Sequence, residues 1–85
     1  MKELDGKAEL VYLWVRAYIE ENKFKRRKKI PSEHTLCRKL AVSRETVRRA
    51  LERLTEEGLL LRVKGSGTYI NKEEALSWEP GGSEG

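Results

Sequence analysis

Four arginines fall close together near the middle of the chain, among apolar residues that recur at helical spacing. They are Arg44, Arg48, Arg49 and Arg53. An arginine guanidinium is a planar fork that donates paired hydrogen bonds, either to the two acceptors of a guanine edge or to phosphate oxygens. Ser43 and Thr46 lie beside them and add hydroxyl groups, which suit phosphate contacts. The residue types of this stretch therefore favour binding to a polyanion.

The net charge of +4 is unevenly distributed along the 85 residues. Residues 23–72 carry fifteen bases against five acids, whereas residues 1–22 carry three against five and residues 73–85 carry none against four. A basic middle between mildly acidic ends is typical of a nucleic-acid binder. The chain also has no Gln and only two Asn, a balance associated with thermophilic sources. Thermophily adds acids and bases together, however, and does not explain their segregation.

Residues suited to catalysis or metal binding are scarce. With one cysteine, Cys37, and one histidine, His34, neither an internal disulfide nor a zinc site of four Cys and His ligands can form. No spacing pairs a nucleophile with a base, so we expect no enzyme, no cofactor and no metal.

The length allows one small domain. Because Arg16 interrupts the apolar run, neither a signal peptide nor a membrane span is predicted, and a cytoplasmic location is expected.

The first predicted helix runs from an N-cap at Asp5 to Asn22, which tolerates the left-handed conformation at a helix end. Its predicted inner face consists of Leu10, Leu13, Trp14, Ala17 and Tyr18. A basic loop, residues 23–29, follows and holds six bases around Phe24. This loop either contacts phosphate or is a solvated connection that Phe24 anchors to the core.

Two further helices are predicted around a short turn. Pro31 and Ser32 begin the second helix, since proline excludes the preceding residue from helical geometry and serine caps the first turn. Ala41-Val42 forms the turn, and Ser43 caps the third helix. The buried stripe of the third helix follows helical spacing and consists of Val47, Ala50, Leu51 and Leu54. Gly58 ends this helix.

The outer face of the third helix is charged. At 100° per residue it holds Glu45, Arg48, Arg49 and Glu52, with Arg44 and Arg53 at the flanks. Any surface helix has a charged face, and Glu45 with Arg49 could merely form an i,i+4 pair. Bases nevertheless dominate at the start of the helix, which is the end that a helix-turn-helix directs at base edges.

Residues 59–64 and 68–71 alternate weakly between apolar and polar and predict two strands, joined by Gly65-Ser66-Gly67. Three helices followed by a two-stranded hairpin predict a mainly α protein with a small β wing, that is, a winged helix-turn-helix. We assign this domain to residues 5–71, with a recognition helix at 43–57 and a wing at 60–70. Residues 72–85 are predicted to be a linker toward an effector-binding domain absent from this chain, in which residues 73–78 could extend briefly as helix or strand before a flexible stretch, residues 79–85.

Three runs at fixed separations resemble the DNA-binding domain of GntR-family bacterial transcription regulators over residues 8–71. The runs are Lys29-Ile30-Pro31-Ser32-Glu33, Leu40 to Leu51 with Val-Ser-Arg-Glu-Thr-Val-Arg at its centre, and Lys64-Gly65-Ser66-Gly67-Thr68-Tyr69-Ile70. The resemblance implies DNA contacts from His34, Ser43, Arg44, Glu45, Thr46, Arg48, Lys64 and Gly65, and we add Arg49 from the same face. Ala41 stands where the family often has glycine, so either an alanine accepts the left-handed turn or the turn differs.

The resemblance also implies a metabolite-responsive repressor that binds a palindromic duplex operator, with a sugar of the arabinose-repressor type as the expected effector. The effector would bind only through the missing C-terminal domain. We expect a homodimer in the full-length protein and a monomer or weak dimer for this fragment. The alternative is a winged-helix protein-interaction module, which predicts a mixed or apolar exposed face. Binding of RNA or single strands would favour exposed aromatics, and on the wing only Tyr69 qualifies.

Overall fold

The computed structural model describes residues 5–25 and 28–77, and it confirms the predicted winged helix-turn-helix. Its elements are α1 (Gly6–Asn22), α2 (Glu33–Leu40), α3 (Arg44–Glu56), β1 (Leu60–Val63), β2 (Gly67–Ile70) and α4 (Lys72–Ser77). The recognition helix and the wing thus lie within the predicted ranges 43–57 and 60–70. Within the described ranges, each helix is too short or too polar to cross a lipid bilayer.

The predicted inner face of α1 is wrong. The residues that this helix buries are Ala8, Val11, Val15 and Ile19. Leu10 and Leu13 are instead 50% and 53% exposed, and the stacked rings of Trp14 and Tyr18 are half-buried at the edge of the core. Small and branched residues let α1 approach α3 closely, whereas wide amphipathic rings fit better at the border of the interface.

Of the two predicted ends of α1, the N-terminal cap is confirmed and the C-terminal conformation is wrong. Asp5 is the N-cap, as expected, and its side chain accepts a hydrogen bond of 2.9 Å from the Ala8 amide. Asn22 does not adopt the predicted left-handed conformation, because it is the last residue of the helix and the chain continues through Lys23 in right-handed geometry. The buried Asn22 amide group donates to the Tyr18 carbonyl oxygen at 2.8 Å.

Helices α2 and α3 begin with the same capping device. Ser32 accepts from the Thr35 amide and Ser43 accepts from the Thr46 amide, each at 3.2 Å, so each helix start has one of its free amides satisfied by a serine hydroxyl. Between the two helices Ala41 adopts φ 55° and ψ 48°, the left-handed conformation. The turn therefore keeps the geometry that usually selects glycine, and an alanine accepts its steric cost.

The end of α3 is a Schellman motif, with Gly58 in the left-handed conformation at φ 85°. The Leu59 amide donates to the Leu54 carbonyl and the Gly58 amide to the Thr55 carbonyl, each at 3.0 Å. This turn directs the chain from α3 into β1. It also places Leu59 in the core beside the predicted stripe of α3, whose four residues are all buried.

The wing is an antiparallel hairpin in which Leu60 pairs with Ile70 and Val63 with Gly67. Its inner end is fixed to the core, because Leu60 and Ile70 are buried, whereas the rest of β1 is exposed. A short extended segment before α2 adds to the other edge of β2 through an antiparallel bridge between Lys29 and Tyr69. The basic loop therefore ends as part of the sheet.

The segment from residue 72 begins with α4, a short helix of the kind that the sequence left open for residues 73–78. Ala75 of this helix is 1% exposed and belongs to the hydrophobic core, and its amide donates to the Asn71 carbonyl at 2.9 Å. The ordered domain thus extends at least six residues beyond the predicted boundary at residue 71. The remaining part of the predicted linker, residues 78–85, lies outside the described residues.

Candidate nucleic-acid interface

The start of α3 presents Arg44 and Arg48 to solvent. Arg44 is the first residue of the helix, directly after the Ser43 cap, and Arg48 lies one turn further on the same side. Arg48 makes a long ion pair across the helix-turn-helix, with its Nε 3.9 Å from Oε2 of Glu33 at the start of α2. An exposed pair at this distance is weak, so the Arg48 guanidinium is available to another acceptor.

Arg49 lies in a different environment from the other predicted arginines. Its guanidinium is 3.8 Å from the Glu45 carboxylate on the same helix and 3.9 Å from the Asp5 carboxylate at the start of α1. The i,i+4 pair that the sequence left open for Glu45 and Arg49 is therefore present. Two acids share the charge of Arg49, and a DNA contact from Arg49 or Glu45 would have to replace these pairs.

The hydroxyl groups of Ser43 and Thr46 lie together at the tip of the recognition helix. The two oxygens are 2.9 Å apart, and Ser43 Oγ also accepts from the Thr46 amide. Ser43 is exposed and Thr46 is half-buried. Capping uses part of the hydrogen-bonding capacity of the Ser43 hydroxyl, but a serine hydroxyl retains further donor or acceptor positions.

His34 and Arg44 meet the wing around a single cleft of about 470 Å³. Both side chains are exposed. The start of α2 and the segment before it form one wall, Arg44 of α3 forms another, and the wing residues Ser66, Gly67 and Thr68 form the third. The fold thus brings residues from three separate parts of the sequence to one surface, rich in basic and hydroxyl side chains.

Lys64 and Gly65 form the exposed turn of the wing. The Ser66 amide closes this turn by donating to the Val63 carbonyl at 2.9 Å, and Gly65 has φ 79°. Space around Gly65 is open, since an added Cβ would meet no atom within 4 Å. A phosphate or a groove edge can therefore approach the backbone here.

Two basic residues of this surface are not among the predicted contact residues, although a phosphate contact from the basic loop, which includes Lys29, was one of the two alternatives for that loop. Lys29 lines the cleft described above, and Arg62 is exposed on β1 beside the wing turn. Pro31 favours extended geometry at Ile30, next to Lys29, but the pairing of this segment with β2 was not visible in the sequence. Phe24 is 71% exposed and so does not anchor the loop, while Arg26 and Arg27 lie outside the described residues.

The arrangement offers hydrogen-bond donors and cations. Within residues 5–25 and 28–77, no three His, Cys, Asp or Glu side chains come together as a metal site would require. The acidic residues of the surface, Glu33 and Glu45, each lie within 4 Å of an arginine. The site can therefore bind an extended anion, with the acids reducing repulsion among the bases before binding.

The family model described as bacterial regulatory proteins of the gntR family matches residues 7–70. The arabinose metabolism transcriptional repressor of Geobacillus stearothermophilus is 39% identical over 56 residues, which cover 66% of this chain and 15% of that repressor. The HTH-type transcriptional repressor NagR of Bacillus subtilis strain 168 is 48% identical over 50 residues, 55% of this chain and 21% of NagR.

Among solved structures, the crystal structure of AraR(DBD) in complex with operator ORR3 is 36% identical and superimposes with a TM-score of 0.69, covering 75% of this chain and 77% of that one. This chain spans less than a quarter of the length of the two repressors above. The family match covers well over half of the chain and includes all three predicted helices and the wing. The chain therefore belongs to the gntR family of bacterial regulatory proteins.

Proposed function

We propose that this chain binds a specific duplex DNA sequence as the DNA-binding domain of a bacterial transcriptional repressor. The observation that carries the proposal is the exposure of Arg44 and Arg48 at the start of α3, where Arg44 also lines the cleft shared with Ser66 and Gly67 of the wing. Its likeness to AraR(DBD), whose structure contains an operator, supports the same conclusion. The chain acts by binding and not by catalysis.

In this proposal α3 enters the major groove with its first turns facing the base edges. Arg44 or Arg48 donates two hydrogen bonds to the O6 and N7 acceptors of a guanine. The hydroxyls of Ser43 and Thr46, the ammonium of Lys64 and the Gly65 amide contact phosphates or the minor-groove edge. These groups position the domain without distinguishing all four base pairs.

The competing interaction-module hypothesis predicts a mixed or apolar face on α3. The exposed positions of its first half are Arg44, Glu45, Arg48 and Arg49, and its apolar residues Val47, Ala50, Leu51 and Leu54 are buried. Little apolar area remains on α3 to drive association with a protein. The charged surface favours DNA, so we do not adopt the alternative.

The properties of the whole regulator belong to the same proposal. One of the named relatives is an arabinose metabolism transcriptional repressor and another is the repressor NagR, and the match covers less than a quarter of the length of each. We propose a sugar or sugar-derived effector that binds outside this domain, and a homodimer that places two such domains on a palindromic operator in the cytoplasm. The isolated domain would be a monomer or weak dimer.

The experiment is selection of bound duplexes from a random pool, followed by titration of the selected site and of unrelated duplex. Replacement of Arg44 or Arg48 with Ala removes a guanine contact, so at least one of them should lose about 1–3 kcal/mol on the selected site and far less on unrelated DNA. Lys64→Ala is the matched control, since a phosphate contact should weaken both duplexes equally.

Two results would contradict the proposal. Equal losses on selected and unrelated DNA for both arginine variants would make the arginines phosphate clamps and would assign sequence choice to Glu45 and the wing. Failure of the wild-type domain to bind any duplex at low salt would reject DNA binding itself and would return the interaction module as the better hypothesis.

A further inference from the structure

The backbone of Lys29 is held rigidly against the wing. The Ile30 amide donates to the Thr68 carbonyl at 3.0 Å and the Ile70 amide donates to the Lys28 carbonyl at 2.9 Å, so Lys29 lies between two hydrogen bonds to β2. The bridge to Tyr69 lies at the same point. A lysine fixed in this way loses little backbone freedom when it binds a ligand.

The side chain of Lys29 extends over Gly67, at the base of the wing turn. A Cβ atom added at Gly67 would lie 3.2 Å from the Lys29 ammonium nitrogen, and closer still to its Cε. Among the described residues, no carboxylate lies within 4.0 Å of this ammonium, although the side chain is exposed. Lys29 differs in this respect from Arg49, whose charge two acids share.

The cleft that Lys29 lines lies between the two elements that would enter the DNA grooves. Arg44 is on one side of it and the wing residues Ser66 and Thr68 are on the other, with His34 at the start of α2. If α3 occupies the major groove and the wing reaches the minor groove, one sugar-phosphate strand must pass between them. That strand separates the two grooves, so its phosphates pass over this cleft.

We propose that the cleft between α2, α3 and the wing holds the phosphates of the strand that separates the two grooves, with Lys29 as a phosphate-binding residue. This inference rests on the proposed DNA binding and goes beyond it by assigning a contact to the end of the basic loop. Thr68 adds a hydroxyl to the opposite wall, and the Ser66 hydroxyl, 2.5 Å from the Tyr69 hydroxyl, can donate to a phosphate while it accepts from Tyr69. Glu33 also lines the cleft, and its carboxylate lies 3.9 Å from Arg48 in the free domain.

Lys28 is a matched control that the chain itself provides. It has the same charge and adjoins Lys29, but its ammonium lies 5.9 Å from the centroid of the Tyr18 ring, beside α1. Lys28 does not line the cleft. Its replacement therefore removes the same net charge at almost the same place in the sequence without removing the proposed contact.

The experiment compares Lys29→Met and Lys28→Met, in which methionine keeps the apolar stem, on selected and unrelated duplexes across a range of salt. Lys29→Met should weaken both duplexes roughly 5- to 10-fold, because a phosphate contact carries no sequence information. The wild-type slope of log affinity against log salt should be near −5 if about six phosphates are neutralised, and Lys29→Met should make it shallower by about 0.9. Lys28→Met should change affinity less than about 2-fold.

Lys29→Arg should restore binding, which a purely structural role of the stem would not require. Circular dichroism and thermal unfolding establish that each variant is folded. The inference is overturned if Lys29→Met binds with wild-type affinity and slope, or if Lys28→Met matches its loss, while the wild-type domain binds DNA normally. A wild-type domain that binds no duplex would reject the proposed function itself, and this inference with it.

Discussion

The two ends of α3 are held in different ways. At the C-terminal end, Glu57 accepts a hydrogen bond of 2.5 Å from the Tyr12 hydroxyl of α1, and its other carboxylate oxygen is 3.2 Å from Arg53 Nε. The Gly58 carbonyl accepts from the Asn71 side chain at 2.9 Å. At the N-terminal end, the cross-element polar contacts of the α3 side chains within residues 5–25 and 28–77 are two ion pairs of 3.9 Å, to Glu33 and Asp5.

This difference indicates that one end of α3 anchors the helix in the fold and the other end is available for binding. The end joined to α1 and to the chain after β2 fixes the axis of α3, while the charged side chains of the other end make long, exposed ion pairs in the part of the chain that the structure describes. Exposed pairs of this kind contribute little stability, so their replacement by DNA contacts costs little. Changes at the C-terminal end should therefore affect stability, and changes at the N-terminal end should mainly affect binding.

The largest expected effect on stability is that of Gly58→Ala. Gly58 has φ 85°, and an added Cβ would lie 3.4 Å from Glu74 Cγ. We expect a loss of about 1–2 kcal/mol in the free energy of unfolding, measured with urea, because a left-handed residue with a Cβ atom is strained. The preference for selected over unrelated DNA should not change. Gly6→Ala, at a position without positive φ and with open space, is the control.

A loss of DNA preference in Gly58→Ala at temperatures where the domain is folded would contradict the separation of the two ends. A Gly58→Ala variant as stable as the wild type would also contradict the prediction, because the Schellman motif would then not require its glycine.

A smaller effect of opposite sign is expected for Ala41→Gly, in the turn before α3. Glycine relieves about 1–2 kcal/mol of left-handed strain but adds freedom to the unfolded chain, which leaves a net gain of roughly 0.5–1 kcal/mol in unfolding free energy. Ala17→Gly, the same exchange at an exposed position inside α1, should instead lose about 1 kcal/mol. A destabilised Ala41→Gly would show that the strain is compensated locally.

The smallest effect tests the Tyr12 contact with Glu57. Tyr12→Phe should lose about 0.5 kcal/mol of unfolding free energy near pH 7, because the hydrogen bond lies at an exposed position. Burial of Tyr12, together with its hydrogen bond to Glu57, raises the pKa of this hydroxyl above its usual value. Its contribution is therefore fully present below pH of about 10 and is lost as pH rises through the folded-state pKa.

The deficit of Tyr12→Phe relative to the wild type should consequently shrink in urea titrations repeated at a pH of about 10.5. A deficit that grows with pH would mean that the ionised hydroxyl is the form that the fold stabilises, and the anchoring role of this contact would have to be rejected.

Local rules were sufficient for the recognition helix and the wing. The Ser43 cap, the buried stripe of four residues and the glycines at 58, 65 and 67 depend on contacts within a few positions along the chain. Periodicity and capping therefore predicted α3 and the hairpin to within a residue or two. The Ala41 turn was left open between two alternatives, because the sequence does not reveal whether surrounding packing compensates a strained residue.

Which side chains share the DNA-facing surface was decided only by tertiary structure. The sequence places Arg44, Arg48 and Arg49 on one face of α3, yet only the position of Asp5 on α1 reveals that Arg49 is shared by two acids. Lys29 reaches the surface because residues 28–30 pair with β2, some forty residues later in the chain. Such pairings depend on packing between distant segments and leave no local pattern.

The sequence by itself determined the helix-turn-helix, the wing and the concentration of bases at the start of α3, since each follows from spacing and steric preference along the chain. Tertiary structure alone decided the rotation of α1, the inclusion of α4 in the core and the walls of the cleft. The physical reason is that α1 offers two overlapping apolar faces. Packing against the core selects the face of small and β-branched residues over the face that carries the wide Trp14 and Tyr18 rings.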